Sequence, residues 1–320
     1  MREPIYRQAL SRSWELVWHH KILWIFGLFS IFLGQFGLTD FVGRLWMALQ
    51  QKFYTGTYWG DILTTLWPQT DVSGKIGLIW ILGILLALGV LVLLLSVLSQ
   101  GSLIIAAKEL FKNKKEIKTS QVWNQSVRSF WPLFLINLIR ECIFIFLTTF
   151  LGAMVYFLNS GHAINYFFIG LIIVVGTLLA LIVSSVAIYT ACYVVIDHEE
   201  ILKALKKGWQ LFSEHLLVSL ELSLLLLLMN FVALVAIFIG STLVFIPSVV
   251  IWIVAGFTGN FVLMMIGQFL GMFLFALMMI LVAAILNAYT ISAWTYLFLK
   301  MHHQGVVSRL IHFAKAIVKR

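Results

Sequence analysis

The chain has 320 residues, of which 62% are hydrophobic and 11% charged, with a mean hydropathy of +1.01. A soluble domain carries about 25% charged residues, so this composition excludes an ordinary soluble protein, and the lack of short alternating segments excludes a membrane β-barrel. The net charge of +9 sits beside the ends of apolar runs. That placement matches the positive-inside pattern and attraction to anionic headgroups, and it argues against nucleic acid as a partner.

Residues 4–20 are predicted to form an interfacial amphipathic helix. Ile5, Ala9, Leu10, Trp14, Val17 and Trp18 recur at helical spacing, with Arg7, Arg12 and Glu15 elsewhere. A first span is expected over about 22–38. From Thr39 to Gly74 the chain is mixed and aromatic, with Trp46, Phe53, Tyr54, Tyr58, Trp59 and Trp67, which suits the headgroup level. A second span is predicted from Ile76 to Ser99, followed by a basic loop with Lys108, Lys112, Lys114, Lys115, Lys118 and Arg128.

The third span runs from about Trp131 to Leu158, and Asn159 to His162 form a short turn. The fourth run, Ile164 to Ile196, exceeds the roughly 20 residues one span needs, so it should tilt or project. Residues 197–215 are polar and amphipathic, with Lys203, Lys206 and Lys207. The fifth span covers about Leu216 to Ile239. Gly240-Ser241 and Pro247 mark the piece at 242–256 as re-entrant, interfacial or a short span. The sixth run, Phe261 to Leu299, leads into a basic amphipathic tail at 300–320. Six spans with the basic segments on one side place both termini in the cytoplasm. No cleavable signal peptide is expected.

One cassette recurs before the spans. Ala9-Leu10-Ser11-Arg12-Ser13-Trp14-Glu15-Leu16 ends at His20, and Ala204-Leu205-Lys206-Lys207-Gly208-Trp209-Gln210-Leu211 ends at His215. A weaker copy has Val122-Trp123, Ser126 and Phe130-Trp131. The returning spans share Tyr189-Thr190 and Tyr289-Thr290, with Gly101-Ser102 in the comparable place. The reading is a single integral membrane domain, 1–320, with repeat units 4–107, 118–196 and 200–299. The alternative is that any membrane interface selects aromatic-plus-basic helices without duplication.

On Ala9 to Trp14, Ser126 to Leu135, and Val194-Val195-Ile196-Asp197 followed by Ala204 to Trp209, the chain resembles the glycerophosphoryl diester phosphodiesterase membrane-domain family and related families of unknown function. The resemblance implies a bacterial cytoplasmic membrane protein. Some members carry a soluble phosphodiesterase barrel after this domain. No His-Arg-Gly-like start of that barrel occurs in the 320 residues, so hydrolase activity is not expected.

Arg140, Glu141 and Glu221 form the candidate intramembrane polar site, because a charge inside a bilayer must pair, snorkel or face water. A shift of 82 positions brings Ile139 onto Glu221 and places Arg140 and Glu221 at nearly equal depth. They are expected to pair, and a charge swap that failed to rescue single neutralisations would refute this. Asn137, Asn230, Gln268 and Asn287 are expected to bond between helices, and Gly267-x-x-x-Gly271 to permit close packing. Trp14, Trp18, Trp123, Trp131 and Trp209 are the predicted interfacial anchors, with docking of a cytoplasmic partner as the alternative role. Cys142 and Cys192 lie in apolar runs and suggest no disulfide or metal framework. The adjacent pairs His19-His20 and His302-His303 cannot converge on one ion, and no Walker loop, Rossmann fingerprint or nucleophile elbow is present.

The expectation is therefore an all-α polytopic bundle of six principal spans with interfacial helices. It needs no cofactor and no metal. Its partners are the anionic headgroups of the bilayer and either a protein partner or further copies of itself. The leading function is a non-enzymatic accessory or scaffold in envelope or lipid-related work. The alternative is a transporter or permease using Arg140, Glu141 and Glu221.

Overall fold

The computed structural model describes residues 5–33, 72–112, 118–158 and 163–304. The aromatic stretch with Trp46 to Trp67, Lys114 and Lys115, the 159–162 turn and most of the basic tail lie outside the described residues. All described elements are helical. They are α1 (Ile5–His19), α2 (Ile22–Ser30) with a 3-10 turn at Ile31–Leu33, and α3 (Val72–Phe111). α4 (Thr119–Arg128), α5 (Phe130–Leu158), α6 (Ala163–Ile196) and α7 (Ile201–Glu214) follow. The chain continues with α8 (Leu216–Val244), α9 (Ile246–Thr258) and α10 (Phe261–Gln304).

The spans are helical because every backbone polar group inside a bilayer must be satisfied within its own segment, and Leu, Ile, Val and Phe fill them because their side chains face hydrocarbon. Among the described residues, five helical runs are long and apolar enough to cross a membrane: Ile79–Phe111, Phe130–Val155, Tyr166–Ile196, Leu216–Thr258 and Phe261–His302. This is the architecture of a multi-pass membrane protein. The first expected span is described only as far as Leu33. α2 and its 3-10 turn meet α1 at a bend of 108°.

Three boundaries differ from the sequence reading. The second span does not stop at Ser99, since α3 continues to Phe111. Gln100, Ser102 and Leu103 to Ala107 are buried, so the apolar pattern there serves packing rather than a loop. α10 likewise continues past Leu299 to Gln304. The 242–256 piece is neither a separate loop nor a reversal. It completes the apolar run Leu216–Thr258, with Pro247 tolerated in the first turn of α9.

The chain reverses after α9 at Gly259, whose φ of 62° favours glycine. Asn260 then caps α10, its Oδ1 accepting from Val262 N (3.0 Å) and Leu263 N (3.2 Å). α9 packs back along α10. Gly267 faces Ser248, Ile251 and Trp252, and Gly271 faces Ser248 and Phe245. The small-residue motif therefore works inside one chain.

The helix contacts follow a cycle. α3, α6 and α10 touch one another. α4 lies on α3, α7 on α6 and α1 on α10. α5 also touches α3, α8 touches α6 and α2 touches α10, while α2, α5 and α8 each pack against the next of α3, α6 and α10. Each of these contacts occurs three times, and the first cassette closes the ring on the last long helix.

The principal core lies at the cassette end of this ring. It includes Leu23, Leu103, Ile104, Leu133, Tyr189, Leu222, Ile291 and Phe298. Beyond it the long helices separate. Every residue of α3 from Ile79 to Leu91 is exposed. α5 and α6 keep a small second core of Phe144, Leu151 and Ala180. From the cassette contacts at Gly101, Thr190 and Tyr289, each helix extends roughly 40 Å to its distal end at 1.5 Å per residue. A bilayer with its headgroups is about 40–45 Å thick.

Candidate functional site

Arg140 is buried on α5, and its Nη2 donates to the carbonyl oxygen of Leu33 in the 3-10 turn after α2. A cation bonded to a carbonyl at the end of a helical segment complements the negative end of the helix dipole. Glu141 and Glu221 are partly buried on α5 and α8. Ion pairs at the cassette end include Lys203–Glu200, Lys207–Glu199 and His302–Asp197.

The polar residues of the spans close the seams of the ring. Asn137 Nδ2 on α5 donates to Gln100 Oε1 on α3 at 2.6 Å. On the α6–α8 seam, Tyr189 and Ser219 share a hydrogen bond of 2.7 Å, and Ser185 and Ser223 share one of 3.1 Å. On the α10–α2 seam, Asn287 Nδ2 donates to Ser30 Oγ (2.6 Å) and to the Gly27 carbonyl (3.1 Å). Lipid gives helices no hydrophobic reason to associate, so close packing and such bonds hold them together. Asn137 and Asn287 act as the sequence suggested. Gln100 had no signal beyond being polar within an apolar run, whereas Tyr189 was marked by the Tyr-Thr pair it shares with Tyr289-Thr290. Gln268 is exposed and Asn230 partly buried.

The cassettes bury the same positions. Ala9, Val122 and Ala204 are buried, and so are Ser13, Ser126 and Gly208 four residues later. Ser126 Oγ donates to the Leu98 carbonyl on α3 at 2.6 Å. A Cβ at Gly208 would stand 2.7 Å from Thr190 Oγ1 on α6. Small residues at these points let each cassette cross its long helix closely.

This crossing sorts the flanking side chains by level. Trp14 meets Tyr289 edge-on with ring centroids 5.8 Å apart, while the charge of Arg12 reaches Tyr296, seven residues nearer the cassette end of α10. On α7, Lys207 lies 6.0 Å from the Tyr193 ring, whereas Gly208 rests on Thr190 and Val186. α1 thus turns Trp14 toward the apolar spans and Arg12 away from them. That is the orientation of an interfacial helix. Trp14, Trp18, Trp131 and Trp209 are exposed. Trp123 is half-buried and stacks on Phe26 at 6.4 Å, so it packs into the ring rather than out of it.

Two tyrosines anchor the cassette end in matching surroundings. Tyr193 on α6 meets Phe298 of α10 edge-on at 4.8 Å. Tyr296 on α10 meets Phe111 of α3 edge-on at 4.9 Å. Beside Tyr193 the chain turns through His198, whose φ of 54° is left-handed, and Glu199 N bonds back to the Tyr193 carbonyl. Lys207 Nζ donates to Glu199 Oε1 at 2.5 Å, which holds the Glu199 carboxyl below its usual range. The bond and charge of Glu200 hold Lys203 above its usual range. Lys108 Nζ donates to the Ile196 carbonyl at 3.3 Å and caps the end of α6.

Away from the ring, a cavity of about 400 Å³ lies where α8 passes into α9, lined by Leu243, Val244, Pro247, Leu274, Met278 and Leu281, among others. It has no charged lining residue. Among the described residues, no three His, Cys, Asp or Glu side chains are gathered as a metal site. Comparison of the chain with protein families, curated proteins and solved structures returns no match.

Proposed function

We propose that this is a non-enzymatic integral protein of the bacterial cytoplasmic membrane, serving as an accessory or scaffold in envelope or lipid-related work. The observation that carries this reading is how the intramembrane polar groups are used. Arg140, Asn137, Asn287, Tyr189 and Ser219 all make contacts that close seams between helices. The clustering of Arg7, Arg12, Lys108, Lys112, Lys118, Arg128, Lys203, Lys206, Lys207 and Lys300 on the cassettes and adjoining helix ends supports a cytoplasmic position for that end. The threefold recurrence of contacts supports three duplicated units, as does the resemblance to the phosphodiesterase membrane domain.

The test is extraction of the full chain with its own membrane into polymer discs, followed by native mass spectrometry. The expected result is a stoichiometric protein partner that persists when Arg140 or Glu221 is neutralised. A small molecule retained by the native chain and lost in Arg140→Gln or Glu221→Gln would overturn the scaffold reading in favour of a permease.

A further inference from the structure

We propose that the seam between α1, α10 and the end of α3 binds the phosphate-bearing headgroup of one anionic phospholipid, held by Arg12 and Lys300 around Tyr296. The inference deepens the membrane-scaffold reading and rests on its placement of the cassette end at the cytoplasmic leaflet.

Two cassette positions correspond. Arg12 stands three residues after Ala9, and Lys207 three residues after Ala204. Lys207 lies 6.0 Å from the Tyr193 ring of the helix its cassette crosses, and Arg12 sits on the cassette that crosses α10 beside Tyr289, with its charge acting on Tyr296 one level further along. Their counter-charges differ. Lys207 is neutralised by Glu199 at 2.5 Å. Among the described residues, no carboxylate forms an ion pair with Arg12. A second cation joins Arg12 instead, since Lys300 Nζ lies 5.9 Å from the Tyr296 ring. From α3, Lys112 is exposed next to Phe111, which meets the Tyr296 ring edge-on. The remaining charged neighbours on α3 are Lys108 and Glu109, and Lys108 is engaged with the Ile196 carbonyl. The seam therefore concentrates positive charge where its twin carries an internal salt bridge.

A phosphodiester suits this arrangement. A guanidinium offers a fork of donors to phosphate oxygens, and a lysine adds a point charge. The level of the site selects lipid over a dissolved anion. Trp14 and Trp18 of the same helix stack at 5.6 Å and remain exposed. With Trp14 turned toward the spans, this pair stands where glycerol and the first methylenes of a lipid would lie, as interfacial tryptophans do. Arg12 then stands at the phosphate level.

The test uses the full chain in nanodiscs of phosphatidylcholine doped with phosphatidylglycerol, released gently and read by native mass spectrometry. One phosphatidylglycerol per chain is expected to survive. Arg12→Gln with Lys300→Gln should reduce its retention about tenfold or more, given the typical strength of a basic residue near an anionic surface. Lys207→Gln should change it less than about twofold, because that cation is already neutralised. Arg12→Lys with Lys300→Arg should keep most of the retention, which separates loss of charge from loss of fold. Equal retention by the double Gln variant, or equal loss in Lys207→Gln, would overturn the proposal. Displacement of the lipid by millimolar inorganic phosphate would overturn the lipid assignment in favour of a free anion. None of these readouts depends on a protein partner, so failure here leaves the scaffold reading to its own test.

Discussion

The two ends of this bundle obey different packing rules. At the cassette end, three long helices and three crossing cassettes enclose a core, with hydrogen bonds across the α3–α5, α6–α8 and α10–α2 seams. At the distal end the same helices part, and α3 exposes every side chain from Ile79 to Leu91. Both ends are apolar in sequence. What separates them is small and polar residues: Gly27, Gly101, Ser126, Asn137, Tyr189 and Asn287 all fall where helices meet. Lipid rewards close approach and hydrogen bonding between helices, and it rewards exposed Leu or Ile no less than buried ones. The distal end therefore needs no partner to be stable in a membrane.

The sharpest way to break the contrast is glycine replacement on each side. At Gly27 a side chain would drive into the Ala284 carbonyl of α10. Gly27→Leu should lower folded yield severely, at a cost of about 3 kcal/mol or more. Gly83→Leu in distal α3, where nothing lies within 4 Å of an added Cβ, should leave the melting temperature in detergent unchanged. Equal effects would mean the ends are packed alike. Next in size is Asn287→Leu, which removes the bonds to Ser30 and Gly27. It should cost about 1–2 kcal/mol in a denaturant titration.

The distal end has one local device, the reversal after α9. Asn260→Ala removes two cap bonds and should cost about 1 kcal/mol, seen first as faster exchange of the Val262 and Leu263 amides. Near the cassette end, His198 occupies a left-handed position that glycine prefers. His198→Gly should raise stability by about 0.5–1 kcal/mol, and a loss would show that the imidazole itself is needed. The smallest effect concerns pH. Because Lys207 depresses the Glu199 carboxyl, its contribution is complete above the ordinary value of 4.5 and fades as pH falls through the lowered folded value. Glu199→Gln should flatten that acid limb of the stability profile without changing the neutral plateau.

The helical class and the long runs were legible in the sequence because hydropathy and length state them directly. So were the cassettes, since Ala9 and Ala204 head the same pattern. Their closely packed points were harder to read, because Ser13, Ser126 and Gly208 share only small size. The end of the second span was misplaced at Ser99. Gly101-Ser102 and the lysines of α3 resemble a loop, yet Leu103 to Ala107 are core and Lys108 caps α6. The Leu33 carbonyl that Arg140 meets could not be read at all. A carbonyl 107 positions away leaves no trace in local pattern. Exposure of Trp131 and burial of Trp123 depend on which helix lies alongside, which interfacial chemistry alone does not specify.

The most direct test is a nitroxide scan along α3 in lipid, recording oxygen accessibility at each position from Ile79 to Phe111. The account predicts uniformly high values with no helical period from Ile79 to Leu91, then a clear period near 3.6 residues with deep minima from Ser96 onward. A helical period within Ile79 to Leu91 would show that a protein surface covers one face of distal α3, and it would contradict the division into a closed ring and a lipid-wrapped end.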